Sequence, residues 1–343
     1  MAKVKVTKKR PTLIDISEAC GLSICTISRI LNDSETAKLY AEETQQRVNQ
    51  TAERLGYKPN RLARATRTSR TNQIGFIVHF NEKENEPAYP SLGCITGALE
   101  VLEQHGLDMV LIPLAEVEAE EISKVRLFSE TFIDGAICTA YINTPYVKRI
   151  EDALQGLVVW CDSNVRRTRL SVWRDEVEAG RQAVEHLQTR NKKIIWIGRD
   201  DSHTRETFYR KERYEGGRRA ALKTRVSLKC IYADGDKIEP DMILQYIKEG
   251  YDCVASEYPY ASQVVSMAMR ERLVVGHDFF LSCADDINFF ERFMPDISRA
   301  SFNRIEMGRI SAEMLLKKLG RGKRSQKSII QVPTWIEGAT ARA

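Results

Sequence analysis

Residues 12–32 decide the first part of the fold, and they read Thr12-Leu-Ile-Asp-Ile-Ser-Glu-Ala-Cys-Gly21-Leu-Ser-Ile-Cys25-Thr-Ile-Ser-Arg29-Ile-Leu-Asn32. Two short helical patterns flank Gly21, which can adopt the positive φ that a tight turn between helices requires. Ser23 is a favourable N-cap for the second helix. By spacing alone, the stretch is either a DNA-reading helix-turn-helix or a helical hairpin that caps a larger domain.

The second helical pattern has two different faces. Ile27, Ile30 and Leu31 share one face, which has the spacing of an apolar stripe that packs inward. The opposite face is small and polar and ends in a guanidinium group; it consists of Ile24, Cys25, Ser28 and Arg29. Such a face can enter a DNA major groove without steric or electrostatic conflict.

The charge of the chain is concentrated at the same end. Residues 1–73 contain 14 Lys and Arg against seven Asp and Glu, a net charge of +7, whereas the whole chain of 343 residues carries +5. A basic head on a near-neutral body is typical of a phosphate-binding module joined to a domain that does not bind DNA. A solvated charged face is the alternative, but the basic excess coincides with the helix-turn-helix pattern.

Composition and motifs argue against several other classes. The sequence contains no apolar run near the ~18 residues of a membrane span, and no apolar segment follows the basic N-terminus as in a signal peptide. Its eight cysteines show neither C-x-x-C pairs nor zinc spacing, and P-loop, G-x-S-x-G and H-E-x-x-H motifs are absent. We therefore expect a cytoplasmic protein with reduced thiols and with no metal, cofactor or catalytic residues. Asp285-Asp286 could suggest a metal site, but a solvated loop is the favoured interpretation.

The stretch 12–32 resembles the DNA-binding headpiece of the LacI/GalR family of bacterial repressors. The matching positions are Thr12, Asp15, Ala19, Gly21, Ser23, Thr26, Ser28, Arg29, Leu31 and Asn32. The match continues into a third helix, predicted at Glu42–Leu55 and ended by Gly56, and into the segment 57–64. The resemblance implies a helix-turn-helix domain at 1–59, a hinge at 60–72 and an effector-binding core at 73–343.

The resemblance also implies a set of DNA contacts. They are Thr12, Ser23, Ile24, Cys25, Thr26, Ser28, Arg29, Asn32, Tyr57, Asn60, Arg61, Ala63, Arg64 and Thr66. In the family, the hinge becomes a short helix on DNA and a leucine wedges between base pairs; that position is Thr66 here. The hinge arginines remain to attract phosphates and a narrow minor groove, but the apolar wedge is absent.

From Gln73 onward, short apolar runs alternate with amphipathic stretches. The predicted strands are 74–79, 109–114, 136–140, 157–162, 194–198, 229–233, 253–256 and 273–278. The predicted helices are 92–105, 180–188, 210–222, 241–248, 261–270 and 306–319. This alternation predicts an α/β fold of doubly wound parallel sheets, following the small all-α head.

The resemblance to the family extends over this region as well, through 158–162, 175–187, 213–216, 275–278 and 295–298. It implies two periplasmic-binding-protein-like lobes with a small-molecule effector between them. The expected lobe boundaries are about 73–174 with 302–332 for the first lobe, and about 175–301 with 333–343 for the second. Gly216-Gly217 is interpreted as allowing close packing and not as a phosphate motif.

Polar residues at the family's ligand positions, with Tyr89 and Trp173 as replacement aromatic faces, form the expected effector site. They are His79, Tyr89, Asp162, Trp173, Arg213, Lys237, Glu257, Asp278 and Phe302. Ligands of open α/β sheets bind at the carboxyl ends of strands, where guanidinium and carboxylate groups can hydrogen-bond hydroxyls. Taken singly, each charged group could equally be a surface charge at a strand end. Lys237, Glu257 and Phe302 depart from the lactose-repressor type, so the resemblance does not name the effector.

Together these features predict a homodimeric transcription regulator, a repressor that binds a pseudo-palindromic operator in double-stranded DNA. Its operator affinity is expected to be controlled by a sugar or a sugar derivative, with no membrane partner. One alternative is a small-molecule binding protein for transport. Another is a cytoplasmic sugar-binding or sugar-acting protein without regulatory DNA binding.

Overall fold

The protein is described from a computed structural model. The structure describes residues 11–31, 35–59, 65, 70–80, 89–115, 130, 132–139, 144–166, 169–187, 189–199, 208–234, 237–257, 260–286, 296–322 and 327–341. The chain divides into two compact units, Met1–Thr71 and Asn72–Ala343, and each is described by itself. Among the described residues, no helix has the length and apolar character needed to cross a membrane.

The first unit is a small helical head. Its elements are α1 (Leu13–Cys20), α2 (Ile24–Leu31), a 3-10 turn (Glu35–Leu39) and α3 (Glu42–Leu55). Gly21 and Gly56 end α1 and α3 in the left-handed conformation, with φ of 65° and 70°. The predicted bounds of α3 are confirmed.

The three helices of the head enclose one small apolar core. Its buried members are Ile16, Cys20, Ile27, Ile30, Val48 and Ala52. Ile27 and Ile30 come from the inward stripe that the sequence predicted for α2. Because so small a core stabilises the head only weakly, the helix caps contribute appreciably to its stability.

The second unit contains two six-stranded sheets. The first sheet has the order β11-β5-β4-β3-β1-β2, and we call this sheet with its helices the first lobe. The second has the order β12-β10-β9-β8-β6-β7, and it defines the second lobe. The strands are β1 (Gln73–Phe80), β2 (Asp108–Ala115), β3 (Gly135–Cys138), β4 (Val158–Cys161), β5 (Ser171–Arg174), β6 (Lys193–Arg199), β7 (Ser227–Ala233), β8 (Cys253–Ser256), β9 (Phe280–Cys283), β10 (Ser298–Ser301), β11 (Ile329–Gln331) and β12 (Thr334–Ile336). All described pairs between these strands are parallel except β10 with β12.

Seven described helices belong to this unit. They are α4 (Tyr89–Gln104), α5 (Thr144–Ala153), α6 (Glu176–Glu185), α7 (Phe208–Thr224), α8 (Pro240–Lys248), α9 (Tyr260–Arg270) and α10 (Arg304–Lys318). Apolar clusters lie on both faces of each sheet, as expected for doubly wound sheets. The chain passes between the lobes after β5, after β10 and after β11, so the α/β prediction and the two-lobed core are confirmed.

Helices α6 and α7 approach each other closely at glycines. A Cβ added to Gly180 would overlap the carbonyl oxygen of Arg213, and one added to Gly216 would overlap that of Val177. Glycine is therefore required at both positions by backbone contact. This contact confirms the interpretation of the Gly216 pair as a packing feature.

One predicted strand is wrong. Residues 273–278 form a turn with a single bridge from Val275 to Phe279, and the buried strand is Phe280–Cys283. The second of two adjacent apolar runs thus enters the sheet, because it alone pairs with β8 and β10. This shift in register changes which acidic residues lie at the carboxyl end of the strand.

Candidate functional site

The start of α2 is held by two hydroxyl groups. The Ser23 hydroxyl accepts a hydrogen bond from the Thr26 backbone N–H at 3.1 Å and contacts the Thr26 hydroxyl at 2.9 Å. In α1, Thr12 and Asp15 form a capping box in which the Asp15 carboxylate accepts from the Thr12 backbone N–H at 2.6 Å. These caps orient both helices of the helix-turn-helix without using side chains of the exposed face of α2.

The exposed face of α2 carries Ile24, Cys25 and Arg29. The Arg29 guanidinium donates a 3.4 Å hydrogen bond to the Tyr40 hydroxyl, which also raises the pKa of Arg29. Tyr40 follows the 3-10 turn, in a loop for which sequence reasoning assigned no functional residue. A guanidinium group that is oriented by a hydrogen bond and remains exposed to solvent can make a bidentate contact with a guanine edge.

Other residues predicted to contact DNA are buried, half-buried or outside the described residues. Ser28 is buried at 9% exposure, so its predicted place on the outward face of α2 is wrong. It precedes Leu31 by three residues and therefore lies on the same side of the helix as that packed residue. Tyr57 is half-buried and packs against the core of the head. The predicted contacts outside the described residues are Asn32, Asn60, Arg61, Ala63, Arg64 and Thr66.

In the second unit, three guanidinium groups converge on the Asp285 carboxylate. Arg174, at the end of β5, lies 3.0 Å from it, and Arg304, at the start of α10, also lies 3.0 Å from it. Arg213 of α7 is 2.6 Å away and is only 2% exposed. Since Arg174 comes from a first-lobe strand, this contact joins the two lobes.

Further carboxylates complete this group, which we call the inter-lobe cluster. Its members are Asp162, Arg174, Glu176, Arg213, Asp285, Asp286 and Arg304. Asp162, directly after β4, pairs with Arg174 at 2.5 Å and with Arg304 at 3.0 Å. Glu176 pairs with Arg213 at 2.7 Å, and Asp286 pairs with Arg304 at 2.7 Å. The groups that could hydrogen-bond a ligand are thus largely paired with one another.

The pKa values in the cluster reflect a balance of burial and pairing. Burial raises the pKa of Asp285, but Arg213, Arg304 and Arg174 outweigh it and hold that pKa well below its ordinary value. For Glu176, burial outweighs the pairing with Arg174 and Arg213, so the pKa of Glu176 is raised. Asp285 is therefore the firmly ionised centre of the cluster.

Glu257 differs from the members of the inter-lobe cluster. It follows β8, is 1% exposed, and neither carboxylate oxygen accepts a hydrogen bond from any described residue. The Arg210 Nε atom lies 3.3 Å from one oxygen without hydrogen-bonding geometry. Burial raises the pKa of Glu257 to about 7. A buried carboxyl group of this kind can accept hydrogen bonds from a ligand, or donate one when it is protonated.

Aromatic side chains border the same region. The guanidinium groups of Arg174 and Arg304 lie 5.2 Å and 5.9 Å from the ring centroid of buried Phe302. Trp173 on β5 is half-buried, and Arg166 lies 4.8 Å from its ring centroid. Two of the three predicted aromatic residues, Trp173 and Phe302, are therefore in cation–π contact with arginines of this chain.

The structure brings five of the nine predicted effector residues to the region of the cluster, namely Asp162, Trp173, Arg213, Glu257 and Phe302. Asp278 was wrongly predicted there: it precedes β9, and its carboxylate accepts from the Val274 backbone N–H at 2.7 Å. Lys237 is exposed in a bridge beyond the edge strand β7. His79 and Tyr89 lie on β1 and α4, and their side chains are outside the described residues.

Sequence reasoning missed the residues at the centre of the cluster, Arg174, Glu176, Asp285 and Arg304. The interpretation of Asp285-Asp286 as a solvated loop is also wrong, because Asp285 is 14% exposed and triply paired. One signal was available: the mostly apolar run 279–284 ends immediately before these acids. Nothing in the sequence pattern indicates that the arginines would meet them across the lobes.

Comparison with known proteins agrees with this architecture. The family model "Bacterial regulatory proteins, lacI family" matches residues 12–60, and "Periplasmic binding proteins and sugar binding domain of LacI family" matches 71–229. The HTH-type transcriptional regulator RegA of Clostridium saccharobutylicum is 23% identical over 332 residues, 94% of this chain and 97% of that protein. The ribose operon repressor of Bacillus subtilis is also 23% identical, over 96% of this chain and 98% of that protein.

Solved structures show the same fold. The lac repressor dimer bound to operator and the anti-inducer ONPF matches with a TM-score of 0.77 at 17% identity, covering 98% of this chain and all of that one. A CelR–cellobiose complex matches with a TM-score of 0.62 at 18% identity, over 96% of this chain and all of that one. The capped helix-turn-helix and the two-lobed core define a DNA-binding transcription regulator. The chain belongs to the lacI family of bacterial regulatory proteins.

Proposed function

We propose that the chain is a homodimeric repressor that binds a pseudo-palindromic operator and whose operator affinity depends on an effector bound between the lobes of the core. The observation that carries the proposal is the exposed face of α2, where Arg29 is held by Tyr40 beside Ile24 and Cys25. Two such faces in a dimer would read two half-sites in successive major grooves. We propose that the protein is cytoplasmic, like other regulators that act on bacterial DNA.

A sugar or a sugar derivative is the proposed effector. Relatives named ribose operon repressor and a structural relative bound to cellobiose support this class. In this chain, the carboxylate oxygens of buried Glu257, which accept no hydrogen bond from a described residue, offer directional acceptors for hydroxyl groups. Linkage requires that an effector which weakens operator binding is itself bound less tightly in the operator complex.

The test starts from operator selection with the full-length protein on random double-stranded DNA. A pseudo-palindromic site bound with nanomolar affinity, and a salt dependence that gives several released counterions, is the expected result. Binding with the same affinity to every sequence would contradict operator recognition. The control variant is Arg218→Ala, which changes an exposed residue of α7 outside the head. It should bind the selected site as the wild type does.

The effector part is tested separately with a panel of neutral sugars, sugar acids and sugar phosphates. A compound that raises the melting temperature of the protein should also change its affinity for the selected operator. If compounds raise the melting temperature but leave operator affinity unchanged, ligand control of DNA binding is wrong. The rival, a sugar-binding protein without regulatory DNA binding, requires that no specific operator is selected.

A further inference from the structure

One ion pair of the described residues joins the lobes without belonging to the inter-lobe cluster. Arg166 lies in the segment that follows β4 in the first lobe, and Glu212 lies near the start of α7 in the second. The two side chains meet in a bidentate fork, with Nη1 to Oε2 and Nη2 to Oε1 both at 2.9 Å. Their side chains are 16% and 33% exposed, so the pair lies between buried and surface pairs in its solvent access.

The same arginine also covers Trp173. Its guanidinium carbon is 4.8 Å from the centre of the tryptophan ring, which belongs to the first-lobe strand β5. Arg166 is thereby fixed by a ring of its own lobe while its fork binds a carboxylate of the other lobe. A planar guanidinium can stack on the ring and form a bidentate fork at once, whereas an ammonium group can do neither.

From this geometry we propose that Arg166 and Glu212 form a clasp that closes the cleft in the protein without effector and keeps the face of Trp173 covered. The inference rests on the proposed effector cleft and specifies how access to it is controlled. A ligand that stacks on the face of Trp173 covered by Arg166 must first displace that guanidinium. Displacement breaks the fork to Glu212, so the entry of the ligand also removes this ion pair between the two lobes.

The position of the clasp distinguishes it from the inter-lobe cluster. Arg174 and Arg304 lie within two residues of the segments that pass between the lobes, so their contacts are close to any hinge. Arg166 lies eight residues before the end of β5, and Glu212 is farther along the chain from each of those segments. Because its two ends belong to different lobes, the fork must break when the cleft opens, and the pair therefore opposes opening.

Hydrogen exchange of the full-length protein, without DNA or effector, tests the clasp. Arg166→Ala and Glu212→Ala should each raise amide exchange about five- to tenfold in segments 162–166 and 208–213, one in each lobe, while the rest of both sheets stays protected. Arg166→Lys should give a smaller increase, because it keeps the charge and loses the fork. The swap of Arg166→Glu with Glu212→Arg should restore most of the protection.

The matched control is Arg218→Ala, which removes an ion pair to Glu215 on α7 that does not reach the other lobe. It should leave exchange in 162–166 unchanged. As a second measurement, acrylamide should quench the fluorescence of Arg166→Ala more than that of the wild type, and the difference should vanish when Trp173→Phe is added.

Increased exchange confined to the lobe that carries the substitution would overturn the clasp, as would unchanged exchange in a folded variant. These outcomes do not depend on operator binding or on any sugar. A regulator that selects an operator but shows no clasp would keep the proposed function and lose only this inference.

Discussion

Glu257→Gln should remove a large pH dependence from the stability of the core. In the folded protein burial raises the pKa of Glu257 from 4.5 to about 7, whereas the unfolded chain leaves it near its ordinary value. Below pH 4.5 the group is protonated in both states. Between pH 4.5 and 7 only the unfolded chain ionises, so the free energy of unfolding falls as the pH rises, and it levels off above 7.

The magnitude follows from the shift. A difference of about 2.5 pKa units, at about 1.36 kcal/mol for each unit, corresponds to a loss of about 3 kcal/mol between pH 4.5 and pH 8. Glutamine has the shape of the protonated acid and cannot ionise. The stability of Glu257→Gln relative to wild type should therefore increase by about 3 kcal/mol over this range, with the two proteins closest at low pH.

Urea unfolding followed by tryptophan fluorescence is a suitable assay. All four tryptophans, Trp160, Trp173, Trp196 and Trp335, belong to the second unit, so the signal reports the core without the head. Glu249→Gln, which changes an exposed carboxylate of the same lobe, should follow the wild-type profile. If the difference between Glu257→Gln and wild type does not change with pH, burial does not control this carboxyl group and the reasoning is refuted.

Four further predictions concern other parts of the chain. Arg29→Ala should weaken specific operator binding by about 1–3 kcal/mol in a gel shift at fixed salt, and unchanged affinity would exclude a base contact. Thr66→Leu should increase operator bending in a circular-permutation gel shift, because it supplies an apolar wedge; equal bends would show that position 66 is not the wedge. Asp285→Asn should destabilise the core by about 3–5 kcal/mol in the fluorescence assay, since three buried guanidinium groups lose their shared charge; a loss below 1 kcal/mol would contradict this. Gly180→Ala should cost about 1–3 kcal/mol in the same assay because the added methyl overlaps the Arg213 carbonyl oxygen, and unaltered stability would mean that α6 and α7 separate freely.

The sequence by itself determined the head of the protein. Helix caps, turns and inward stripes are local features, and Gly21, Ser23, Ile27 and Gly56 act on residues within one or two turns of their own positions. The end of α3 followed from such a local signal, Gly56, and the resemblance to the family supported the position of the helix. Ser28 was misplaced because its burial depends on the helix that packs against α2, and spacing along a single helix does not contain that information.

In the core, the alternation of apolar runs determined the fold class for the same local reason. A buried parallel strand must be apolar on both faces, and this requirement shows in the sequence of each strand. Where two apolar runs stand close together, however, pairing with the neighbouring strands decides which one enters the sheet. That choice placed Asp285 at the carboxyl end of β9 and left Asp278 at the opposite end.

Only the tertiary structure decided the chemistry of the cleft. Arg174, Arg213 and Arg304 are separated by 39 and by 91 positions in the chain, and their meeting at one carboxylate requires both lobes and the segments that pass between them. The same holds for Arg166 and Glu212, which are 46 positions apart. Electrostatic energy depends on distance in space and on burial, and neither quantity is encoded in the spacing of residues along the chain.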